Sequence, residues 1–396
     1  MYTLRKYQKE AVASALEFFM SSASYRPIEV LPTGAGKSLI IADLVRHLQD
    51  DVLILQPSKE LLEQNFKKYQ MACEMFPELT KATIYSASVG VKEKSRVTFA
   101  MIGSIYKTPE MFYDTQYVLI DECHKVPPKT DSMYVEFLSS ITARVLGLTA
   151  TPFRLKKYND PFSGRPYSKI NLLTREIPKF FNKFIHVTQI RDLYEEGFLC
   201  PINYVPMHFD GSALRVNTTG AEFTDRSLKE AIERNDILKK IPAILKQAYE
   251  KGQRSSLVFV STVEEARELA AITPFSGYIH ALTPSKERAE TIKAFKAGNI
   301  KTIFNVSVLT TGFDYPGLDT IIMARPTMSL TLYMQIIGRG MRTEEGKTKC
   351  TFIDMCGNFA RFGKLEEMEI MEDPKLGWVL RNGEKILSGR RLDELV

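Results

Sequence analysis

Leu31-Pro32-Thr33-Gly34-Ala35-Gly36-Lys37-Ser38 stands between a short apolar run, Ile28-Glu29-Val30-Leu31, and a helical pattern from Leu39 to Leu48. Its glycines let backbone N–H groups wrap closely round a phosphate, and the start of the following helix adds positive potential. Thr33, Gly34, Ala35 and Gly36 then form the cradle, Lys37 reaches the β- and γ-phosphates, and the Ser38 hydroxyl is a magnesium ligand. Leu31 occupies the place of the first glycine in the general phosphate-loop pattern, so that pattern is met only in part. A chance Gly-Lys-Ser is common. One with a strand before it and a helix after it is much rarer.

Further short apolar runs follow at Val52–Leu55, Val118–Ile120 and Val145–Leu148, each leading into a helical pattern. Strands alternating with amphipathic helices predict βαβ units and a parallel sheet covered on both faces. A second series begins near Ser256, with Leu257–Val260, Thr302–Val306 and Thr320–Met323, and predicts a second α/β domain. A helical pattern from Asp225 to about Lys251 leads into it. Between the two series, Arg154 to Lys183 holds eight Lys or Arg against two Asp or Glu. Aromatics are interleaved at Phe153, Tyr158, Phe162, Tyr167, Phe180, Phe181 and Phe184. Two readings stand: an extra nucleic-acid surface on which bases stack, or rings that pack this stretch onto the first domain. In the tail, Asn382-Gly383 between apolar runs predicts a hairpin with a type I′ turn.

The 396 residues suit two domains, and 44% hydrophobic with 25% charged residues is the balance of a globular protein. The net charge of +6 fits a polyanionic partner without establishing one. Five scattered cysteines form neither a disulfide framework nor a Cys-x-x-Cys zinc pair. The N-terminus lacks the apolar stretch of a signal peptide, and no run is long enough to span a bilayer. A cytoplasmic protein without a membrane partner is expected.

The run Val118-Leu119-Ile120-Asp121-Glu122-Cys123-His124 ends an apolar strand in two carboxylates, at the sheet edge where ligands sit in such folds. One carboxylate can hold Mg²⁺ while its neighbour polarises a water, the division that phosphoryl transfer needs. Gly-Ala-Gly-Lys-Ser, Asp-Glu-Cys-His and Leu148-Thr149-Ala150-Thr151-Pro152 together resemble motifs I, II and III of the superfamily 2 helicases. Tyr333-Met334-Gln335-Ile336-Ile337-Gly338-Arg339-Gly340-Met341-Arg342 resembles motif VI, Val308 to Pro316 motif V, and Val258-Phe259-Val260-Ser261-Thr262 motif IV. Leu4-Arg5-Lys6-Tyr7-Gln8 resembles the adenine-recognising element, and Gln56-Pro57-Ser58-Lys59-Glu60-Leu61 motif Ia.

The resemblance implies two tandem RecA-like α/β domains with parallel sheets and an ATP site in the cleft between them. Asp121 and Ser38 would hold Mg²⁺, and Glu122 would be the general base. Arg339 and Arg342, with Gln335 on the same motif, would act on the γ-phosphate; three apart on a helix, the two arginines share a face. Arg5 and Gln8 would read the base, and Gly312 and Asp314 would face the nucleotide. Pro57, Ser58, Lys59, Gly103, Ser104, Ser261, Thr262, Thr310 and Thr311 would touch the nucleic-acid backbone. Thr149 and Thr151 would link the ATP site to the nucleic-acid groove.

Within the superfamily the match is closest to RadD-like and restriction-enzyme-type helicases over roughly residues 1 to 358; the cysteine-rich zinc-binding region of RadD-like proteins is not matched. This implies an ATP-dependent motor on single-stranded or branched DNA, in a bacterial or phage setting and as a monomer, with RNA or a non-unwinding ATPase switch as alternatives. The expected divisions are 1–155 for the first domain, 156–224 for the basic, aromatic insertion and connector, 225–365 for the second domain and 366–396 for the tail.

Overall fold

The computed structural model describes residues 3–391 apart from 77, 163, 165, 310–312 and 314. Two compact units result: residues 1–154 with 171–189, and residues 155–170 with 190–396. The stretch 156–224 is therefore divided between them.

In the first unit the strands are β1 (Pro27–Val30), β2 (Asp51–Leu55), β3 (Ala82–Ser86), β4 (Val91–Lys92), β5 (Val97–Ala100), β6 (Thr115–Asp121) and β7 (Arg144–Thr149). A hairpin of β8 (Phe153–Asn159) and β9 (Pro166–Leu172) follows, most of it belonging to the second unit, and then β10 (Lys183–Val187) back in the first. Among the described residues the sheet runs β10-β1-β7-β6-β2-β5-β3-β4. Every pairing in it is parallel except β3 with β4. Strands β1 and β5 are buried throughout, as expected for a sheet with both faces covered.

The order brings three carboxyl ends side by side, because Val30 of β1 lies opposite Thr149 of β7 and Leu148 of β7 opposite Asp121 of β6. Gly147 fits this crowding: a Cβ there would come within 2.7 Å of the Phe181 ring and 2.8 Å of Cys123 Sγ. Strand β10 had no clear sequence signal, since its burial pattern is mixed. It nonetheless covers the free edge of β1, from Pro27 opposite Lys183 to Val30 opposite Val187.

The second unit holds β11 (Ile202–Pro206), β12 (Ser256–Phe259), β13 (Ser276–Ile279), β14 (Thr302–Asn305), β15 (Thr320–Met323) and β16 (Cys350–Asp354), in the order β11-β16-β15-β12-β14-β13. All are parallel. Its core gathers Val258, Phe304, Ile322 and Met355 with Ile237, Ile241 and Leu245 from a covering helix. The helical pattern expected from Asp225 to Lys251 is two helices, Asp225–Arg234 and Ile237–Glu250. The break falls where Asp236 takes φ 49° and the Asn235 amide donates to the Ala231 carbonyl at 2.8 Å.

In the tail, β17 (Met368–Asp373), β18 (Gly377–Asn382) and β19 (Lys385–Ile386) form an antiparallel sheet. The predicted hairpin is there, but its turn differs. Asn382 pairs with Lys385, so Gly383-Glu384 is the centre, with Gly383 at φ 56°. Glycine first is the II′ pattern. Asn382 instead donates its amide to the carbonyls of Phe362 at 2.8 Å and Lys364 at 2.9 Å.

Candidate nucleotide site

The loop after β1 turns through Gly34 at φ 91° and Gly36 at φ 78°, and the helix Lys37–His47 starts at once. Gly36 is needed twice over. Its φ favours glycine, and a Cβ would stand 2.6 Å from Gln8 Nε2. The Gln8 amide donates to the Ala35 carbonyl at 3.0 Å, as does the Tyr7 hydroxyl at 3.0 Å. The other end of the Gln8 amide accepts the Arg5 backbone N–H at 2.9 Å. Arg5 and Gln8 thus lie beside the phosphate loop at the start of the helix Lys6–Met20.

At the end of β6 the chain passes through Glu122 at φ 48°, a left-handed conformation that non-glycine residues rarely adopt and that is concentrated at functional positions. Lys37 Nζ lies 2.5 Å from Glu122 Oε1 and 3.4 Å from Asp121 Oδ1. Burial works against the ammonium, but the two carboxylates outweigh it and hold Lys37 above the ordinary lysine range. At Glu122 burial would raise the carboxyl, and Lys37 with His124 overrides it, holding the group well below the usual carboxylate range. At Asp121 burial prevails and the shift is upward. Adjacent carboxylates are thereby driven apart, the condition for giving them different roles.

His124 joins this cluster to β7. Its Nδ1 is 2.9 Å from Thr149 Oγ1, 3.2 Å from Thr151 Oγ1 and 3.3 Å from Glu122 Oε2. A single ring nitrogen thus faces two hydroxyls and a carboxylate oxygen. Asn65, on the helix Lys59–Met75, was not singled out from sequence, and a lone Asn on an amphipathic helix gives no signal. Its amide donates to Asp121 Oδ2 at 2.9 Å and to Gln56 Oε1 at 3.0 Å, and its carbonyl accepts Ser38 Oγ at 3.1 Å.

These residues fit Mg²⁺ bound with a nucleotide. One hydroxyl and one carboxylate are hard oxygen donors, too few for an all-protein cage and suited to an ion that takes its other ligands from phosphates and water. Among the described residues no cluster of three or more His, Cys, Asp or Glu could hold a metal.

In the second unit the motif VI helix is Leu330–Gly340. The helix stops short of the second arginine, so Arg342 lies beyond its C-cap, Met341, and the shared helix face is not what brings the pair together. The two converge instead on one acceptor, both donating Nη1 to the Phe313 carbonyl at 2.9 Å. Gln335 is half-buried on the same helix. Lys347, another residue without a sequence signal, donates to the carbonyls of Pro316 at 2.7 Å, Gly340 at 2.8 Å and Arg342 at 2.9 Å. Thr310, Thr311, Gly312 and Asp314 lie outside the described residues.

The remaining candidates sit at element starts. Pro57 and Ser58 precede the helix Lys59–Met75, where Ser58 accepts the Leu61 N–H at 3.3 Å. Gly103 and Ser104 lie on the short helix Ile102–Ile105, with open space about Gly103. The backbone N–H groups of Ser261 and Thr262 are taken by Glu265 at 2.8 and 3.1 Å, in a capping box. In the basic, aromatic stretch Phe153, Phe180, Phe181 and Phe184 are buried, the packing alternative for those rings. Tyr158 stacks on Tyr167 at 5.6 Å, with Lys169 over both rings. Phe162, between β8 and β9, is 98% exposed. No described helix is long and apolar enough to cross a membrane.

Two protein families match: "Type III restriction enzyme, res subunit" (ResIII) over residues 1–154, and the helicase conserved C-terminal domain over residues 236–344. The chain is 25% identical over 381 residues to the putative ATP-dependent helicase IRC3 of Saccharomyces cerevisiae, covering 89% of this chain and 51% of that protein. A 51.5 kDa protein of a Lactococcus phage is 26% identical over 365 residues, with 89% and 71% covered. This chain thus spans about half the length of the yeast relative. Among solved structures, the ATP-dependent Type ISP restriction-modification enzyme LlaBIII bound to DNA superposes with a TM-score of 0.62 at 15% identity, over 90% of this chain and 28% of that one. The likeness extends the two-domain helicase fold across the chain.

Proposed function

Since this chain belongs to the superfamily 2 helicases of the ResIII type, we propose that it hydrolyses ATP to ADP and phosphate to move along or remodel DNA, in repair, recombination or replication. The observation that carries this reading is Lys37, at the start of the helix after β1, lying against Asp121 and Glu122 at the end of β6, with His124 close to Glu122, Thr149 and Thr151. Arg5 and Gln8 bind the adenine side, and residues 33–38 hold the phosphates. Ser38 and Asp121 would hold Mg²⁺, which when bound would supply positive charge beside the phosphate oxygens.

Lys37 has to leave the carboxylates to reach a phosphate. Glu122 then loses the cation that depresses it and becomes a better acceptor for the proton of an attacking water. Arg339 and Arg342 leave the Phe313 carbonyl to stabilise charge on the transferring group, with Gln335 beside them. Thr149 and Thr151, sharing His124 with Glu122, transmit the state of the site to the strand-binding surface. By the family resemblance the strand contacts are drawn from residues 57–59, Gly103 and Ser104 of the first unit and from Ser261, Thr262, Thr310 and Thr311 of the second. Contacts of this kind are made to phosphates and carry no base specificity.

DNA is favoured over RNA by the restriction-enzyme character of the matched first domain and by the RadD-like motifs. The test is ATP hydrolysis by wild type and Glu122→Gln, each with no nucleic acid, single-stranded DNA, branched DNA and RNA. Stimulation by DNA that is lost in Glu122→Gln is expected. Stimulation by RNA alone would reassign the substrate, and turnover indifferent to every nucleic acid would overturn the motor.

A further inference from the structure

We propose that Asn65 is a positioning residue for the metal ion of the nucleotide site, setting both protein ligands with one side-chain amide. The proposal rests on Ser38 and Asp121 being those ligands. A serine hydroxyl has one proton and two lone pairs. Here the proton is committed to Asn65 Oδ1 at 3.1 Å, which leaves the lone pairs to face a cation. On its other side the amide donates at 2.9 Å to Asp121 Oδ2, while the Glu122 backbone N–H donates at 2.9 Å to Oδ1. The Asp121 carboxylate is therefore fixed at both oxygens before any ion arrives.

What holds Asn65 is the strand. Gln56, fully buried at the end of β2, accepts from Asn65 Nδ2 at 3.0 Å, and its own backbone N–H is bonded to the Ala100 carbonyl of β5 at 2.9 Å. Rotating the Asn65 amide by half a turn would set its carbonyl against the Asp121 carboxylate and its NH₂ against Ser38, so the drawn orientation is the one that lets Asn65 accept from Ser38 and donate to Asp121. Neither a carboxylate nor a hydrocarbon of the same shape offers an acceptor to Ser38 and donors to Asp121 and Gln56 together.

The experiment measures binding of a fluorescent ADP analogue to the full chain, in EDTA and across a Mg²⁺ titration, with Mn²⁺ binding to the nucleotide-loaded protein followed by electron paramagnetic resonance. Groups that orient metal ligands are worth on the order of tenfold to a hundredfold in metal affinity. Asn65→Ala is expected to raise the Mg²⁺ and Mn²⁺ requirement by such a factor while leaving affinity in EDTA within about twofold of wild type. Ser38→Ala should raise the metal requirement as well, and the double variant should lose less metal affinity than the two single losses combined, because the residues act through each other. An unchanged metal requirement in Asn65→Ala would overturn the proposal, as would an equal loss with and without metal, which marks a residue that merely supports the fold. Wild type that binds no nucleotide would instead sink the nucleotide site itself, and the positioning role with it.

Discussion

Lys37 is the cation on which a buried carboxylate, Asp121, and a half-buried one, Glu122, depend, and its removal has a calculable sign. Glu122 sits below its unfolded value, so the ion pair stabilises the fold above about pH 4.3 and that contribution is lost as pH falls through the depressed value. Asp121 is shifted upward, so its ionisation opposes folding above about pH 3.9 and the penalty is relieved on acidification. In Lys37→Ala both carboxylates lack their partner and both are raised. The variant should be destabilised at pH 7 by about 2–3 kcal/mol, between the values for exposed and buried pairs. The deficit should narrow between pH 7 and pH 5 as the carboxyls take up protons. Thermal melts of both proteins across that range would show it, and a deficit that widens toward pH 5 would contradict it. Gly36→Ala is a second case. The φ of 78° and the Gln8 amide 2.6 Å from a new Cβ mean the loop or Gln8 must move, so nucleotide affinity should fall at least tenfold. Gly103→Ala, with open space around it, should leave nucleotide affinity at the wild-type value.

The motif VI helix owes its position to a residue outside the motif. Lys347 fastens three carbonyls, two of them at the end of that helix and one at Pro316, while Phe313 gathers both arginines. Lys347→Met keeps the length of the stem but leaves those carbonyls without their cation. The expected outcome is a fall in kcat of at least tenfold with little change in nucleotide affinity, because the change touches the arginines' orientation rather than the phosphate loop. Equal losses in both would mean that the second unit is misfolded instead. Lys347 also marks the limit of sequence reasoning. Strands β1, β2, β6, β7, β12, β14 and β15 were legible because each is a parallel strand largely buried on both faces and so a mainly apolar run. Lys37, Asp121, Glu122 and Arg339 were legible because their chemistry comes with fixed spacing. Lys347 and Asn65 act through hydrogen bonds that close only in three dimensions, from positions where a lysine or an asparagine is unremarked. The Asn382-Gly383 turn failed more narrowly: the dipeptide announced a hairpin, but Asn382 was drawn one place into the strand by its bonds to Phe362 and Lys364.

The two units are not two consecutive stretches of chain. Residues 155–170 leave the first unit and residues 171–189 return to it, bringing β10 back beside the strand that carries the phosphate loop. Sequence reasoning placed a boundary near residue 155 because motif III ends there, the charge density rises, and β10 has neither a long apolar run nor strict alternation. The segment that carries it, residues 171–189, is nevertheless worth a great deal to the first unit. Phe180, Phe181 and Phe184 are at most 6% exposed, and each such ring contributes about 1.5–3 kcal/mol on burial. Three of them come to roughly 5–9 kcal/mol, comparable with the whole stability of an ordinary domain. Without them β1 also presents a bare, apolar edge, an invitation to pair with another chain. A fragment of residues 1–154 should therefore aggregate or remain unfolded despite carrying every residue from Gln8 to Thr151. A fragment of residues 1–189 should melt cooperatively and bind nucleotide, since Lys37, Ser38, Asn65, Asp121 and Glu122 are held within it. Circular dichroism melts and nucleotide titration of the two fragments distinguish the cases. A shorter fragment that folds and binds as well as the longer one would show that β10 is an ornament on the sheet rather than the strand that completes it.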